Sequence, residues 1–183
     1  MSAWPVESPV IRPAAAGDAG GIARVHVASW QAAYCGLLPD AYLDRLAADE
    51  PDRERTWRNR IQHSGPGEVV LVAARGHGIV GFSSAGPTRD RGAGARTVGE
   101  VYAVYLVPEE WGRGGGRLLL EAAVTALAAA GFAEATLWVL ETNARARRFY
   151  EHLGWITDGS TKQERFGATV TEVRYVLAIR SPV

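Results

Sequence analysis

The chain has a single cysteine and a single lysine among its 183 residues. One cysteine, Cys35, excludes an internal disulfide, and with it the disulfide-stapled scaffolds of small secreted proteins. Twenty basic residues are matched by twenty acidic ones, so the formal net charge is zero. A general nucleic-acid-binding protein carries a strong positive excess, so we expect no nucleic-acid partner.

Long hydrophobic runs are also missing. The most apolar stretch, residues 118–140, is interrupted by Glu121, Gly131 and Glu134. This stretch is therefore interpreted as a helix, a turn and a strand rather than a membrane span. The first residues lack the basic segment and apolar run of a secretory signal. We expect a cytoplasmic protein with no membrane partner.

What the chain does have is the composition of one globular domain. Hydrophobic residues make up 47% and charged residues 22%, which is close to the average for such domains. We expect residues 1–9 to be a flexible tail and residues 10–183 to form one domain. The four histidines and the cysteine show no metal-ligand spacing, so no metal site is predicted.

The hydrophobic pattern predicts an α/β order with a strand hairpin at each end, and hence a mixed sheet. A glycine-rich segment over 86–96 is typical of a surface loop, and Asp18 is expected to cap the first helix. The predicted strands cover 10–13, 68–74, 78–85, 99–107, 133–140, a segment near 155–158, and 169–179. The predicted helices cover 19–35, 39–46, 52–62, 114–130 and 144–153.

The most informative segment is WGRGGGR at residues 111–117, between a predicted strand and an apolar helix. Glycines let consecutive backbone N–H groups approach a ligand, and a helix N-terminus adds unpaired donors and partial positive charge. Such a loop is suited to a pyrophosphate. The residues expected to contact it are Gly112, Arg113, Gly114, Gly115, Gly116 and Arg117.

Several kinds of loop compete for this segment. The P-loop pattern GxxxxGK[ST] is absent, and the dinucleotide pattern GxGxxG fits poorly because Arg117 occupies its last position. An acyl-CoA loop and a plain glycine-rich turn stay open on the residues of the loop alone.

The surrounding motifs resemble the GNAT superfamily of N-acetyltransferases over about residues 10–180. A strand ending in Leu106-Val107-Pro108 precedes the glycine loop, and N-x-x-A-x-x-x-Y-x-x-x-G-W follows from Asn143 to Trp155. The segment W-x-x-x-Y-x-G-L-L-P from Trp30 is similar to a bacterial subgroup of that superfamily.

This resemblance implies a mixed, mostly antiparallel sheet of six or seven strands flanked by helices. It implies transfer of an acetyl group from acetyl-CoA directly to an amine. The backbone of Val104, Tyr105 and Leu106 would line the pantetheine, where the family separates this strand from the next one. Asn143 would contact the same region, although a plain helix cap also explains an asparagine there. A homodimer is also consistent with the family.

Two positions depart from the family pattern. Trp111 stands where the acyl-CoA loop usually carries Arg or Gln. Trp138 stands where some ribosomal-protein N-terminal acetyltransferases carry a catalytic glutamate. The second departure disfavours a ribosomal-protein substrate.

Two candidates for proton transfer follow from the resemblance. Glu100 is the candidate general base, because it lies eleven residues before Trp111, the spacing of the base glutamate in histone-type members. Strand alternation predicts that it shares a face with Tyr102, Val104 and Leu106. The alternatives are exposure to water or pairing with an arginine of the 86–96 loop. Tyr150 is the candidate acid toward the CoA sulfur; otherwise it is a core aromatic residue.

The acceptor pocket is expected beside the first helix. Trp30 and Tyr34 lie one helical turn apart, and Tyr102 is expected on the face of Glu100. These three side chains are the candidate acceptor contacts, unless they pack in the core. The acceptor partner is then a small-molecule amine, an amino acid or a peptide. A protein N-terminal or lysine acetyltransferase and a non-catalytic acyl-CoA-binding module are the alternatives.

Overall fold

The computed structural model describes residues 8–90 and 97–179. Residues 1–7 of the predicted tail and residues 91–96 of the predicted loop lie outside this part of the chain. The strands are β1 (Val10–Pro13), β2 (Val69–Arg75), β3 (Gly78–Pro87), β4 (Val98–Leu106), β5 (Glu134–Leu140), β6 (Ile156–Arg165) and β7 (Thr169–Ala178). The helices are α1 (Ala19–Ala33), α2 (Asp40–Ala48), α3 (Glu50–Gln62), α4 (Gly115–Ala129) and α5 (Ala144–His152).

The strands form one seven-stranded sheet in the order β1-β2-β3-β4-β5-β7-β6. Every neighbouring pair is antiparallel except β4 and β5, which run parallel. This confirms the predicted mixed, mostly antiparallel sheet. Strand β6 is much longer than predicted, because it is a largely exposed edge strand whose polar residues carry no hydrophobic alternation.

Helices cover both faces of the sheet. On one face, α1 and α3 contribute Ile22, Val25 and Trp57 to a core with Val72 and Phe82. On the other face, α4 packs its apolar stripe against β4 and β5, with Leu119, Leu120, Ala123 and Leu127 all buried. No helix within the described ranges is long and apolar enough to cross a membrane.

A β-bulge in β4 overturns one expectation about faces. Ala85 of β3 pairs with Val101 and Ser84 pairs with Ala103, so Tyr102 is an extra residue on β4. Beyond the bulge the alternation is shifted by one position. Val104 and Leu106 therefore pack against the α4 side, so the prediction that they share a face with Glu100 and Tyr102 is wrong.

The expected cap of α1 is also different. Asp18 precedes α1, but within the described residues its carboxylate accepts no hydrogen bond from the first turn of that helix. It accepts from the guanidinium of Arg12 at 2.7 Å and from the backbone N–H of Ala15 at 2.8 Å. The charged partner is the stronger donor, so Asp18 ties β1 to the start of the helical segment instead.

Candidate functional site

Strands β4 and β5 separate soon after they meet. In the described part of the chain they pair at three positions, from Val98 opposite Glu134 to Glu100 opposite Thr136. Beyond that point a cavity of about 810 Å³ opens between them. It is bounded by the diverging strands, the end of α1, the glycine loop and α5. This volume lies in the range of small-molecule sites.

The glycine loop has the conformation that an anion site needs. Gly112 and Gly114 have φ angles of 74° and 87°, a left-handed region that favours glycine. Gly114 precedes α4, and no side chain of the described residues caps the helix there. The first N–H groups of α4 thus stay available to a ligand. A Cβ on Gly115 would lie 2.8 Å from Leu106, so this glycine allows α4 to pack against β4.

Trp111 and Arg145 form a stacked pair at the mouth of the cavity. The indole Nε1 of Trp111 donates a hydrogen bond of 2.9 Å to the carbonyl oxygen of Leu106. The guanidinium carbon of Arg145 lies 3.6 Å from the centre of the indole ring. Both residues line the cavity. The stacked ring gives the Arg145 cation a definite place beside the glycine loop.

Most of the predicted cofactor contacts line this cavity. They are Val104, Tyr105, Leu106, Gly112, Gly114, Gly116, Arg117 and Asn143. Arg113 and Gly115 are outside the lining: Arg113 is exposed, and Gly115 is buried behind the loop. Arg117 forms an exposed ion pair with Glu121 at 2.7 Å.

Asn143 begins α5 as predicted. Its side-chain oxygen accepts a hydrogen bond of 3.1 Å from the backbone N–H of Ala146. The helix end thus uses the amide oxygen, so a hydrogen bond donated to a cofactor would come from the amide NH₂ group. Cap and cofactor contact are therefore compatible roles for this residue.

Tyr150 lines the cavity from α5. Its ring packs against Trp155 and Tyr175, at centroid distances of 6.3 and 6.2 Å. Burial, and secondarily the nearby Tyr105, raise the pKa of the Tyr150 hydroxyl well above its usual value near 10. The hydroxyl therefore keeps its proton at neutral pH.

Glu100 is held by an ion pair. Its side chain is 1% exposed and meets the guanidinium of Arg89 through one oxygen. The other oxygen accepts the backbone N–H of Arg89 at 2.8 Å. This ion pair matches the alternative given for Glu100 in the sequence analysis, which was pairing with an arginine of the 86–96 loop. Glu100 is not among the residues that line the cavity. Its role as a base stays a prediction.

Two guanidinium groups pack against the ring of Tyr102. Guanidinium carbons of Arg60 and Arg89 lie 4.9 and 4.6 Å from its centre, and its hydroxyl donates to the carbonyl oxygen of Pro87. Burial, with the charge of Glu100, raises the pKa of Tyr102 to about 12. Tyr102 borders the cavity, but its own contacts already use the ring and the hydroxyl.

Trp30 and Tyr34 belong to an aromatic cluster at the end of α1. Their rings meet edge to face at 4.9 Å, and Trp30 also packs against Phe166 at 5.5 Å. The Tyr34 hydroxyl lies 3.4 Å from that of Tyr105 on β4. Tyr34 lines the cavity, whereas Trp30 is not among the lining residues and packs against Tyr34. We call Trp30, Tyr34, Tyr42, Tyr105 and Phe166 the aromatic cluster.

Sequence reasoning did not predict the surroundings of two further residues, Trp138 and Glu172. Trp138 of β5 lines the cavity, and its Nε1 donates a hydrogen bond of 3.2 Å to Asp90. Glu172 of β7 lies 3.2 Å from the Nζ of Lys162, with 14% of its side chain exposed. The family pattern singles out Trp138 only as a departure and does not predict that it lines the cavity. The neighbours of Glu172 depend on strand register, which no local pattern in the sequence indicates.

The described residues contain no group of three or more His, Cys, Asp or Glu side chains placed to hold a metal ion. The histidine most enclosed in the aromatic core is His26 on α1. Its ring stacks on Tyr105 at 5.6 Å and its Nδ1 accepts a hydrogen bond of 3.4 Å from Trp57.

Comparisons with known proteins agree with this architecture. Residues 30–155 match the model of the Acetyltransferase (GNAT) family. The uncharacterised N-acetyltransferase YuaI of Bacillus subtilis (strain 168) is 37% identical over 133 residues, which cover 73% of this chain and 72% of that protein. The mycothiol acetyltransferase of Streptosporangium roseum is 42% identical over 77 residues, 42% of this chain but 23% of that protein.

Solved structures share the fold. The PaiA N-acetyltransferase of Thermoplasma acidophilum, solved in complex with coenzyme A, superimposes with a TM-score of 0.72. The alignment covers 91% of this chain and 98% of that one, at 20% sequence identity. At this identity the likeness concerns the fold alone.

Proposed function

Because the chain belongs to the GNAT family of acetyltransferases, we propose that it transfers an acetyl group from acetyl-CoA directly to a primary amine of a small molecule, an amino acid or a peptide. The observation that carries this proposal is the cavity between the separated strands β4 and β5, with the glycine loop at one end and Tyr150 within it. A nucleotide-bearing thioester and an amine can then meet from opposite faces of the sheet.

The chain's own groups fit acetyl-CoA. The uncapped N–H groups at the start of α4 and the Arg145 guanidinium suit the phosphates. The edge of β4 beyond the bulge faces the gap rather than another strand, so its peptide groups can bind the amides of the pantetheine as a strand partner would. When bound, acetyl-CoA supplies the acetyl group as a reactive thioester.

Negative charge develops on two atoms during the transfer, the carbonyl oxygen and the leaving sulfur. A backbone N–H of β4 within the gap is proposed to stabilise the negative charge that develops on the thioester carbonyl oxygen. The leaving thiolate has a pKa of about 8.5, and Tyr150 is proposed to protonate it, so that the phenol O–H breaks as the S–H forms.

The remaining task is to remove a proton from the acceptor, since an ammonium group has a pKa of about 10. Glu100 is proposed to accept this proton through a water. The carboxylate is paired with Arg89 and is not among the residues that line the cavity, so the proposed water would connect it to the acceptor. The assignments of the fold and of the cofactor do not depend on this role of Glu100.

Thiol release from acetyl-CoA tests the function. The full chain is incubated with acetyl-CoA and a panel of polyamines, arylalkylamines, amino acids, amino sugars and short peptides with free N-termini, and free thiol is measured. The proposal expects amine-dependent release with a matching mass increase of one acceptor. Acetyl-CoA binding with no acetylation of any amine would contradict it and would favour an acyl-CoA-binding module.

A further inference from the structure

Two aromatic side chains flank the point where β4 and β5 separate. The last paired residues there are Glu100 and Thr136. Tyr102 lies two residues beyond the first and Trp138 two residues beyond the second, and both line the cavity. Parallel strands lie about 4.8 Å apart where they pair, so these two side chains stand on either side of the narrow end of the gap.

Both side chains project from the face of the sheet that α1 and α3 cover. Tyr102 contacts Arg60 of α3. On β5, Leu137 and Val139 pack on the α4 side, so Trp138 between them projects to the opposite face. The glycine loop begins α4 on the other face, so an acceptor that meets the thioester from the α1 side has to approach past these two rings.

One short segment, residues 87–90, contacts both rings. The Tyr102 hydroxyl donates a hydrogen bond to the carbonyl oxygen of Pro87, and the guanidinium carbon of Arg89 lies 4.6 Å from the centre of the Tyr102 ring. The next residue, Asp90, accepts a hydrogen bond of 3.2 Å from the Nε1 of Trp138. The two rings therefore belong to one connected set of contacts beside the gap.

Further contacts hold Trp138 in its place. The Nζ of Lys162 lies 4.6 Å from the centre of its ring, and the guanidinium carbon of Arg174 lies 5.6 Å from it. Arg174 in turn forms an ion pair of 2.9 Å with Asp90, the residue that accepts the indole hydrogen bond. A ring that turned out of the cavity would lose this hydrogen bond and both cation contacts. Trp138 is therefore a fixed wall of the cavity.

A fixed wall at the narrow end of the gap limits what can approach the thioester. The nitrogen of the acceptor has to pass Tyr102 and Trp138. Groups further along the acceptor lie where the strands have diverged, beside Tyr34, whose hydroxyl is 3.4 Å from that of Tyr105 further along β4. A branch on the carbon that bears the nitrogen would meet the Trp138 ring, and a packed wall accepts an added methyl group only with strain.

We propose that Trp138 selects the acceptor by shape: the reacting amine is carried by an unbranched CH₂ group, as in alkylamines and the lysine side chain. Amines on a branched carbon, such as the α-amines of most amino acids, are disfavoured. This inference rests on the proposed function, because it narrows the acceptor of that reaction. It assigns Trp138 a role in specificity and none in proton transfer.

The test uses unreactive analogues that join cofactor and acceptor, so that it does not depend on turnover. CoA is alkylated on sulfur with the N-propyl or the N-isopropyl amide of bromoacetic acid. The two products are isomers that differ only in branching at the carbon on nitrogen. Each is titrated calorimetrically into the full chain, as is CoA itself. The wild-type chain is expected to bind the propyl isomer roughly ten-fold more tightly, the scale on which a pocket separates ligands that differ by one methyl group.

Variants then separate the shape of Trp138 from its part in stability. Trp138→Ala is expected to bind the isopropyl isomer several-fold more tightly than the wild-type chain does, which a loss of structure would not produce. The ratio of the two affinities should fall to about two-fold, and Trp138→Phe should be intermediate. Trp57→Phe, which truncates a buried tryptophan outside the cavity lining, is the matched control and should keep the wild-type ratio.

Two outcomes would overturn the inference. One is equal affinity of the wild-type chain for the two isomers, and the other is a ratio that Trp138→Ala leaves unchanged. If Trp138→Ala does not fold, the same comparison on Trp138→Phe decides. Failure of the proposed function would show separately, as an absence of binding of CoA itself and of thiol release with every amine.

Discussion

The guanidinium carbon of Arg145 lies 3.6 Å from the centre of the Trp111 ring. Trp111 occupies the loop position where the family usually carries Arg or Gln. Trp111 brings no charge of its own, but its hydrogen bond to Leu106 fixes the ring. The ring in turn places a cation from α5 beside the glycine loop. The pair thus provides a positive charge beside the loop from a residue of α5 rather than from the loop itself.

Replacing Arg145 should therefore weaken cofactor binding. We expect Arg145→Gln to raise the Kd of acetyl-CoA about ten-fold, because a charge-assisted contact to phosphate is lost. Calorimetric titration measures the change, and Arg148→Gln on the exposed side of the same helix is the control. Equal affinities in the two variants would show that Arg145 does not reach the phosphates.

Removing the Tyr150 hydroxyl should affect chemistry rather than binding. Tyr150→Phe is expected to lower kcat by about 100-fold, the scale of general acid catalysis, with the Kd of acetyl-CoA unchanged. Tyr175→Phe serves as the contrast, because its hydroxyl bonds to Arg147 and Glu151 and its loss should lower stability but not kcat. A large loss of acetyl-CoA affinity in Tyr150→Phe would contradict the acid role.

The Arg89–Glu100 pair should respond asymmetrically to mutation. Arg89 is 60% exposed and Glu100 is 1% exposed, so Arg89→Gln leaves a buried carboxylate without its cation, whereas Glu100→Gln leaves an arginine that water can solvate. We expect Arg89→Gln to cost about 3 kcal/mol of unfolding free energy and Glu100→Gln about 1 kcal/mol. Urea denaturation measures both.

Turnover by the same two variants tests the base. If Glu100 accepts the proton, Glu100→Gln loses about 100-fold in kcat, and Arg89→Gln retains the carboxylate and more of the activity. Full turnover by Glu100→Gln between pH 6 and 9 would leave Glu100 with a structural role.

His26 should make stability depend on pH. Burial, and secondarily Arg53, lower its pKa from 6.5 to about 4. The unfolded chain takes up this proton below its higher pKa, while the folded chain resists it, so stability falls as pH drops from about 6.5 to about 4. The loss reaches about 3 kcal/mol. His26→Leu should flatten this slope in urea denaturation, and His77→Gln, an exposed control, should retain it.

The sequence predicted elements whose signals are local. Hydrophobic periodicity placed α4 and β5 within one or two residues, and the glycine loop and the Asn143 cap were readable from single motifs. The face of Val104 was wrong because a bulge depends on pairing with another strand. The surroundings of Glu172 were not predicted for the same reason: its strand partners come from β5 and β6, which only the assembled sheet brings together.

The parting of β4 from β5 also bears on how such a domain tolerates sequence change. The groups that this gap exposes belong to the peptide backbone, which every residue except proline supplies in full. Side chains along the two strands can be exchanged without removing a single donor or acceptor, provided the strands still diverge. The course of the main chain survives wide sequence divergence, as the shared fold at 20% identity illustrates. Selection is then free to vary the outward side chains, and with them the acceptor.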